Sequence, residues 1–213
     1  MTWNSSGKSS GSIAFKQCGT RLKIFRKLLF LTRVFVHGKM NYSIFKHYGM
    51  REKKMDTKER IAFIKEKFNL ENHTEGGYFT EVYTSSDKDD GRAKAGNILF
   101  LLPGGELSHF HELDSEEIWF YHEGCGIRIT VISERGIERH LLGSDYKNGE
   151  LPMIIIPKNR PFAAENIDSE GYTFVSCATV PKFDYAGFKL VYKKELRDRY
   201  GEAANEVEYL AYD

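Results

Sequence analysis

Residues Gly105–Gly124 read GELSHFHELDSEEIWFYHEG, and this stretch decides both the fold and the candidate site. Alternate side chains of a β-strand share one face, so His109 and His111 are predicted to point the same way. Glu117 and Trp119 share a face of the following strand for the same reason. Folded against each other, the two strands would bring two imidazoles and a carboxylate to one point inside a barrel. Such a group suits either metal binding or proton transfer.

Further short segments on both sides of this stretch have the composition of β-strands. They are rich in aromatic and β-branched residues, several alternate apolar with polar residues, and Gly, Pro and Asn punctuate the breaks between them. The predicted strands are residues 77–84, 97–102, 117–122, 126–133, 138–142, 153–156 and 172–180. Because no helical segment separates them, a parallel α/β sheet is excluded and an antiparallel all-β sandwich or jelly-roll barrel is predicted.

Helical patterns occur only before and after these strands. Ile61, Ile64 and Phe68 recur at spacings of three and four, which predicts an amphipathic helix over about 58–69. The charged segment around 193–200 predicts a short helix near the C-terminus.

The charge is distributed unevenly along the 213 residues, although the net charge is only +1. Residues 1–54 contain 12 basic side chains and one acidic side chain, whereas residues 55–213 contain 19 and 29. This asymmetry predicts a basic N-terminal segment, 1–54, joined to one globular domain, 55–213. A targeting peptide, a basic surface helix and a stretch without a folded role are the three interpretations of the segment, and we favour the last.

Several function classes are excluded by what the sequence lacks. The three cysteines have no CxxC spacing, so neither a disulfide framework nor a zinc finger is indicated, and we expect a reducing, cytoplasmic location. No apolar run is long enough to span a membrane, and no phosphate-binding loop or nucleophile elbow is present. We therefore expect no membrane or nucleic-acid partner.

The opening stretch resembles the first motif of the cupin superfamily, which contains an HxH pair, a carboxylate and a glycine that follows six residues later. His109-Phe110-His111 matches the pair, and Glu117 with Gly124 matches the end, although five residues instead of three or four separate His111 from Glu117. Residues 149–162 are similar to the second motif. There Phe162 occupies the position of the last metal-binding histidine, which removes one expected ligand.

A closer resemblance is to a small-cupin family of unassigned function, cupin family 5. Its motifs are matched by EGGYFTEVY at 75–83, SEEIW at 115–119 and FDYAGF at 183–188, so that the resemblance covers roughly 58–192. It implies an RmlC-like jelly roll, which is a double-stranded β-helix, with a pocket in the barrel mouth and a dimeric assembly.

The candidate site residues follow from these motifs and from strand alternation. His111 and Glu117 are the predicted acid–base pair, and His109, His111 and Glu117 are the candidate ligands of a divalent metal. The predicted ligand-binding side chains are Phe79, Glu81, Ser108, Trp119, Tyr121 and Phe162. Glu75-Gly76-Gly77 is interpreted as a tight backbone turn.

The predicted activity is epimerase-like or isomerase-like proton transfer on a sugar-like or other small polar metabolite. Two alternatives stay open, a metal-dependent cupin enzyme and a binding module that holds a metabolite without turnover. The histidines could equally be ordinary half-buried strand residues, and the aromatic side chains could be core. The expected partners are a small-molecule ligand and a second copy of the chain.

Overall fold

The structure is a computed structural model that describes residues 55–213. The predicted basic segment, 1–54, lies outside the described residues, so the domain boundary stays a prediction.

Helix α1 (Thr57–Phe68) opens the described part of the chain, close to the predicted bounds. Asp56 caps it by accepting a hydrogen bond from the Glu59 backbone N–H, and the Glu59 side chain accepts from the Asp56 N–H in return. Ile64 is buried, and it packs against Leu101 and Phe174 of the barrel. This contact anchors the helix on the outer face of a sheet.

The strands follow in a nearly continuous series. They are β1 (Glu71–Asn72), β2 (Tyr78–Thr84), β3 (Lys88–Asp89), β4 (Arg92–Ala93), β5 (Gly96–Pro103), β6 (Leu107–Leu113), β7 (Glu116–Gly124), β8 (Ile127–Ser133), β9 (Gly136–Leu142), β10 (Met153–Ile156), β11 (Phe162–Asn166), β12 (Tyr172–Val180) and β13 (Phe188–Leu190). Helix α2 (Lys193–Tyr200) lies where the sequence predicts it, and short 3-10 turns continue to Leu210.

These strands form two antiparallel sheets with the order β1-β2-β5-β12-β7-β10 and β13-β6-β11-β8-β9, and β3 and β4 form a separate hairpin. The main apolar core lies between the sheets and includes Phe100, Trp119, Ile129 and Phe162, which are all at most 1% exposed. The predicted all-β jelly-roll barrel is confirmed. Within residues 55–213, no helix is long and apolar enough to cross a membrane.

Two strands of the five-stranded sheet, β11 and β13, have no counterpart among the predicted strands. Strand β11 reads FAAEN and contains no β-branched residue, so local propensity does not mark it. It is a strand because β6 and β8 pair with it on both sides.

Candidate functional site

A cavity of about 270 Å³ lies in the barrel, and residues of both sheets line it. Its walls come from β1, β2, β5, β7 and β12 of the six-stranded sheet, from β6 of the five-stranded sheet and from the loops after β1 and β12. The lining residues are Glu71, His73, Glu75, Phe79, Glu81, Gly96, Asn97, Ile98, Phe100, His111, Leu113, Glu117, Trp119, Cys177, Thr179, Lys182, Phe183 and Tyr185. The cavity is therefore a mixed polar and aromatic pocket of the kind that binds small molecules.

An irregularity in strand β6 determines which of its side chains face this cavity. Phe162 of β11 pairs with His111 and Ala164 pairs with Ser108, so three steps along β6 match two along β11. Such a β-bulge breaks the alternation of side chains. Ser108 and His111 consequently share the inner face, while the ring of His109 stacks on Tyr212 with centroids 3.7 Å apart.

Glu75 is the centre of the hydrogen-bonded network at this wall. The Ser108 hydroxyl donates to its Oε1 at 2.7 Å, and its Oε2 lies 3.2 Å from His111 Nε2 and 3.4 Å from His73 Nδ1. The Glu75 carbonyl oxygen accepts hydrogen bonds from the backbone N–H and from Nδ1 of His109, each at 2.8 Å. These contacts hold a buried carboxyl group against the imidazole of His111.

The tautomer of His111 follows from its hydrogen bonds. Its Nδ1 donates to the His109 carbonyl oxygen at 2.8 Å, so in a neutral imidazole Nε2 is an acceptor directed at Glu75. Burial lowers the pKa of His111 to about 4, and burial raises the pKa of Glu75 against the opposing effects of His73, Ser108 and His109. Burial therefore disfavours the charged form of each of the two groups.

Glu117 enters the cavity from the other sheet and is also held in its neutral form. Burial, and secondly the charge of Glu75, raise the pKa of Glu117 to about 8, while Trp119 and Cys177 act in the opposite direction. A carboxyl group with such a pKa is protonated at neutral pH and close to the range that suits a general acid.

Unpaired polar atoms are concentrated in this cavity. Among residues 55–213, the buried side-chain nitrogen and oxygen atoms without a hydrogen-bond partner are Asn97 Oδ1, Glu117 Oε2 and Trp119 Nε1. All three residues line the cavity. Native proteins pair nearly all such atoms, so three exceptions at one place distinguish this cavity from the rest of the described residues.

The outer part of the cavity carries an ion pair and an aromatic cluster. Lys182 Nζ lies 2.7 Å from Glu81 Oε2 and donates to the Thr84 hydroxyl at 2.8 Å. Phe183 and Tyr185, from the loop after β12, pack edge to face with centroids 5.0 Å apart. Because Tyr185 is 63% exposed, this cluster borders the entrance.

The structure brings together only some of the residues predicted from the sequence. Phe79, Glu81, His111, Glu117 and Trp119 line the cavity. His111 and Glu117 do so from different sheets, so the expectation that they meet across neighbouring strands is wrong.

The other predicted residues lie behind or away from the cavity. Ser108 is the partner of Glu75, and Phe162 packs against the His111 ring with centroids 4.1 Å apart. The Tyr121 hydroxyl donates to the Gly124 carbonyl oxygen at 2.7 Å and does not reach the cavity. Phe162 and His109 do not line the cavity either.

The predicted metal ligands do not form one site. His109 is turned towards Tyr212 by the bulge, and Nε2 of His111, the nitrogen free to bind a metal, faces Glu75. In the described part of the chain, no group of three or more His, Cys, Asp or Glu side chains is arranged to hold a metal ion. The residues present therefore do not fit the predicted three-ligand centre.

Glu75 and His73 are site residues that the sequence reasoning missed. The turn interpretation of Glu75-Gly76-Gly77 is correct for the backbone, since Gly76 has φ +115° and Gly77 has φ +71°. A Cβ on Gly76 would lie 2.0 Å from the Leu107 carbonyl oxygen. The glycines thus allow the chain to press against β6 and to insert Glu75, and an acidic residue before such a pair is the signal that could have identified it.

Comparisons with known proteins agree with this fold. A family model described as "Cupin superfamily (DUF985)" matches residues 62–191. An uncharacterised protein of Saccharomyces cerevisiae is 27% identical over 165 residues, which are 68% of this chain and 82% of that protein.

Two solved structures are also similar along most of their length. A hypothetical protein from Leishmania major has a TM-score of 0.67 and 29% identity, covering 71% of this chain and 98% of that chain. A protein from Shewanella oneidensis has a TM-score of 0.66 and 33% identity, covering 70% of this chain and 94% of that chain.

Proposed function

Because the chain belongs to the cupin superfamily, in the family described as DUF985, we propose that it binds a small polar metabolite in the barrel cavity and moves a proton on it, as an epimerase or isomerase does. The observation that carries the proposal is the set of three unpaired polar atoms on the cavity wall. Each buried atom without a partner costs about 1–3 kcal/mol of stability. A bound metabolite that supplies the partners is a physical reason to retain all three.

The protonation states support proton transfer as the chemistry. At neutral pH Glu117 holds a proton that it can donate, and His111 has an unprotonated Nε2 that can accept one. The two groups come from different sheets and border one cavity, so a ligand between them would meet an acid and a base on different sides. Epimerisation and keto–enol isomerisation need this arrangement.

The step can be written for a carbon next to a carbonyl group. His111 Nε2 takes the proton of that carbon, the C–H electron pair forms the new C=C bond, and the carbonyl oxygen takes the Glu117 proton. Return of a proton to the same face of the carbon gives hydrogen exchange with the configuration retained. Return of a proton to the opposite face inverts the carbon and gives epimerisation. Glu75 Oε2 lies 3.2 Å from His111 Nε2 and stabilises the imidazolium that forms between these steps by accepting a hydrogen bond from it.

A binding module without turnover is the second candidate, and one observation favours it. Both ring nitrogens of His111 are already engaged, Nδ1 with the His109 carbonyl oxygen and Nε2 with Glu75. A histidine held in this way must break a contact before it can act as a base. Binding and turnover therefore have to be measured separately.

Exchange of ligand protons with solvent deuterium distinguishes proton transfer from binding without turnover. The full chain is incubated in D₂O with a panel of aldoses, ketoses and 2-keto acids, and NMR follows deuterium incorporation next to the carbonyl carbon. If the protein transfers protons, wild type should incorporate deuterium and Glu117→Gln should not. Glu116→Gln should still incorporate it, because Glu116 is an exposed residue on the same strand. Saturable binding with no incorporation in any compound would leave the binding module as the function, and incorporation that persists in Glu117→Gln would remove Glu117 from the mechanism.

A further inference from the structure

The charges around the cavity restrict the ligand that the proposed function requires. We propose that this ligand is an uncharged, hydroxyl-rich molecule of at most about monosaccharide size, without a phosphate or carboxylate group. The inference deepens the proposed function and rests on it, because it concerns the same cavity.

An anionic ligand would find no free cation in the cavity. Of the lining residues in the described part of the chain, Lys182 is the one lysine or arginine, and Glu81 and Thr84 already engage its Nζ. Burial lowers the pKa of His73 and of His111, so both imidazoles are neutral at pH 7. Phosphate recognition normally uses arginine, lysine or several backbone N–H groups. A buried phosphate would therefore stay uncompensated next to carboxyl groups.

A cationic ligand fits no better in the buried part. Both oxygens of Glu75 are engaged, Oε1 by Ser108 and Oε2 by His111 and His73. Glu117 keeps its proton at neutral pH, so the unpaired Oε2 carries no charge for an ammonium group to meet. The exposed carboxylate of Glu81 is paired with Lys182.

Hydroxyl groups match the atoms that lack partners. Asn97 Oδ1 requires a donor and Trp119 Nε1 requires an acceptor, and a hydroxyl group is both. The protonated carboxyl group of Glu117 can likewise donate to one hydroxyl oxygen and accept from another hydroxyl group. Phe79, Phe100 and Trp119 supply apolar ring surface for the C–H faces of such a molecule.

The size of the cavity sets the upper limit. Its volume is about 270 Å³. It lies just below the usual range for drug-sized ligands, which is about 300–1,000 Å³. A pentose or a hexose fits this volume, whereas a nucleotide-linked sugar would have to extend through the entrance.

Sets of compounds that share a carbon chain and differ by one charged group test the proposal on the full chain. One set is D-glucose, D-glucosamine, D-gluconate and D-glucose 6-phosphate, a second is D-ribose with D-ribose 5-phosphate, and a third is glycerol with glycerol 3-phosphate. Saturation-transfer NMR and calorimetry at pH 7 give the Kd of each. We expect at least one neutral compound to bind, and its phosphate or carboxylate counterpart to bind about 100-fold more weakly or not at all.

Two variants locate the binding. Trp119→Phe removes the unpaired N–H and keeps an aromatic ring, so the neutral compound should lose about tenfold in affinity. Glu116→Gln should leave its Kd unchanged. Equal or tighter binding of a phosphate, carboxylate or amine, or saturation by no neutral compound at 50 mM, would overturn the proposal.

The outcomes also separate this proposal from the proposed function. A charged compound that binds and exchanges deuterium would contradict the charge argument and support proton transfer. A neutral compound that binds without deuterium exchange, and whose affinity falls in Trp119→Phe, would support the charge argument and contradict proton transfer.

Discussion

Replacement of Glu117 by glutamine tests whether a buried acid is held neutral in the cavity. Glu117 is 7% exposed, and burial with the nearby Glu75 raises its pKa from 4.5 to about 8. An acid with a higher pKa in the folded chain binds its proton more tightly there than in the unfolded chain. Its contribution to stability is therefore complete below pH 4.5 and is lost as the pH rises towards 8.

The magnitude follows from the two pKa values. Each pH unit between them corresponds to about 1.4 kcal/mol, so the wild-type chain loses about 3 kcal/mol from this group by pH 7 and about 4 kcal/mol by pH 8, where the folded group is half ionised. Glutamine has nearly the same shape and cannot ionise. The free energy of unfolding of Glu117→Gln, minus that of wild type, should thus increase by these amounts as the pH rises from 4.5 to 7 and to 8.

Urea unfolding at pH 4.5, 6, 7 and 8, followed by tryptophan fluorescence, measures this difference. Glu116→Gln is the matched control, and its profile should run parallel to wild type because the side chain is exposed. A parallel profile for Glu117→Gln would refute the reasoning. A loss of 3 kcal/mol or more at pH 7 would show instead that Glu117 neutralises a buried cation.

Three further predictions concern the ligand, the turn and the assembly. Affinity for a neutral ligand should fall as the pH rises through about 8, where Glu117 ionises, and calorimetry from pH 6 to 9 checks this. Gly76→Ala should cost about 3 kcal/mol in urea unfolding, because its Cβ would meet a backbone oxygen at 2.0 Å, whereas Gly136→Ala, at a similar φ with no atom within 4 Å, should cost about 1 kcal/mol. The edge strand β10 exposes Met153 and Ile155, so light scattering should find a homodimer, and Ile155→Glu should shift it towards monomer.

Strand alternation predicts the wall formed by β7 and fails for the wall formed by β6. Glu117 and Trp119 point inward together, as period-two alternation requires. In β6 the extra residue near His109 changes the face, and His109 leaves the site although the HxH spacing suggests otherwise. Side-chain identity alone does not reveal a bulge, because the bulge is defined by the register with β11, a strand that propensity also fails to predict.

Glu75 escaped prediction because its neighbours are far away in the sequence. Its partners Ser108 and His111 lie more than thirty residues downstream, and only the fold brings them to its oxygens. The glycines beside it indicated a special backbone, which is correct, but backbone geometry does not say which wall the preceding side chain will face.

The cavity and the apolar core are made by the same strands, and this links the proposed function to the fold. On β12 the inward residues change from Val175, which packs in the core, to Cys177 and then to Thr179, which lines the cavity opposite Glu117 in the register with β7. A slip of that register by one residue would turn Glu117 outward and break the core at the same time. The register that buries the core therefore also fixes the polar atoms of the cavity wall, and the proposed ligand would supply their partners while the barrel stays intact.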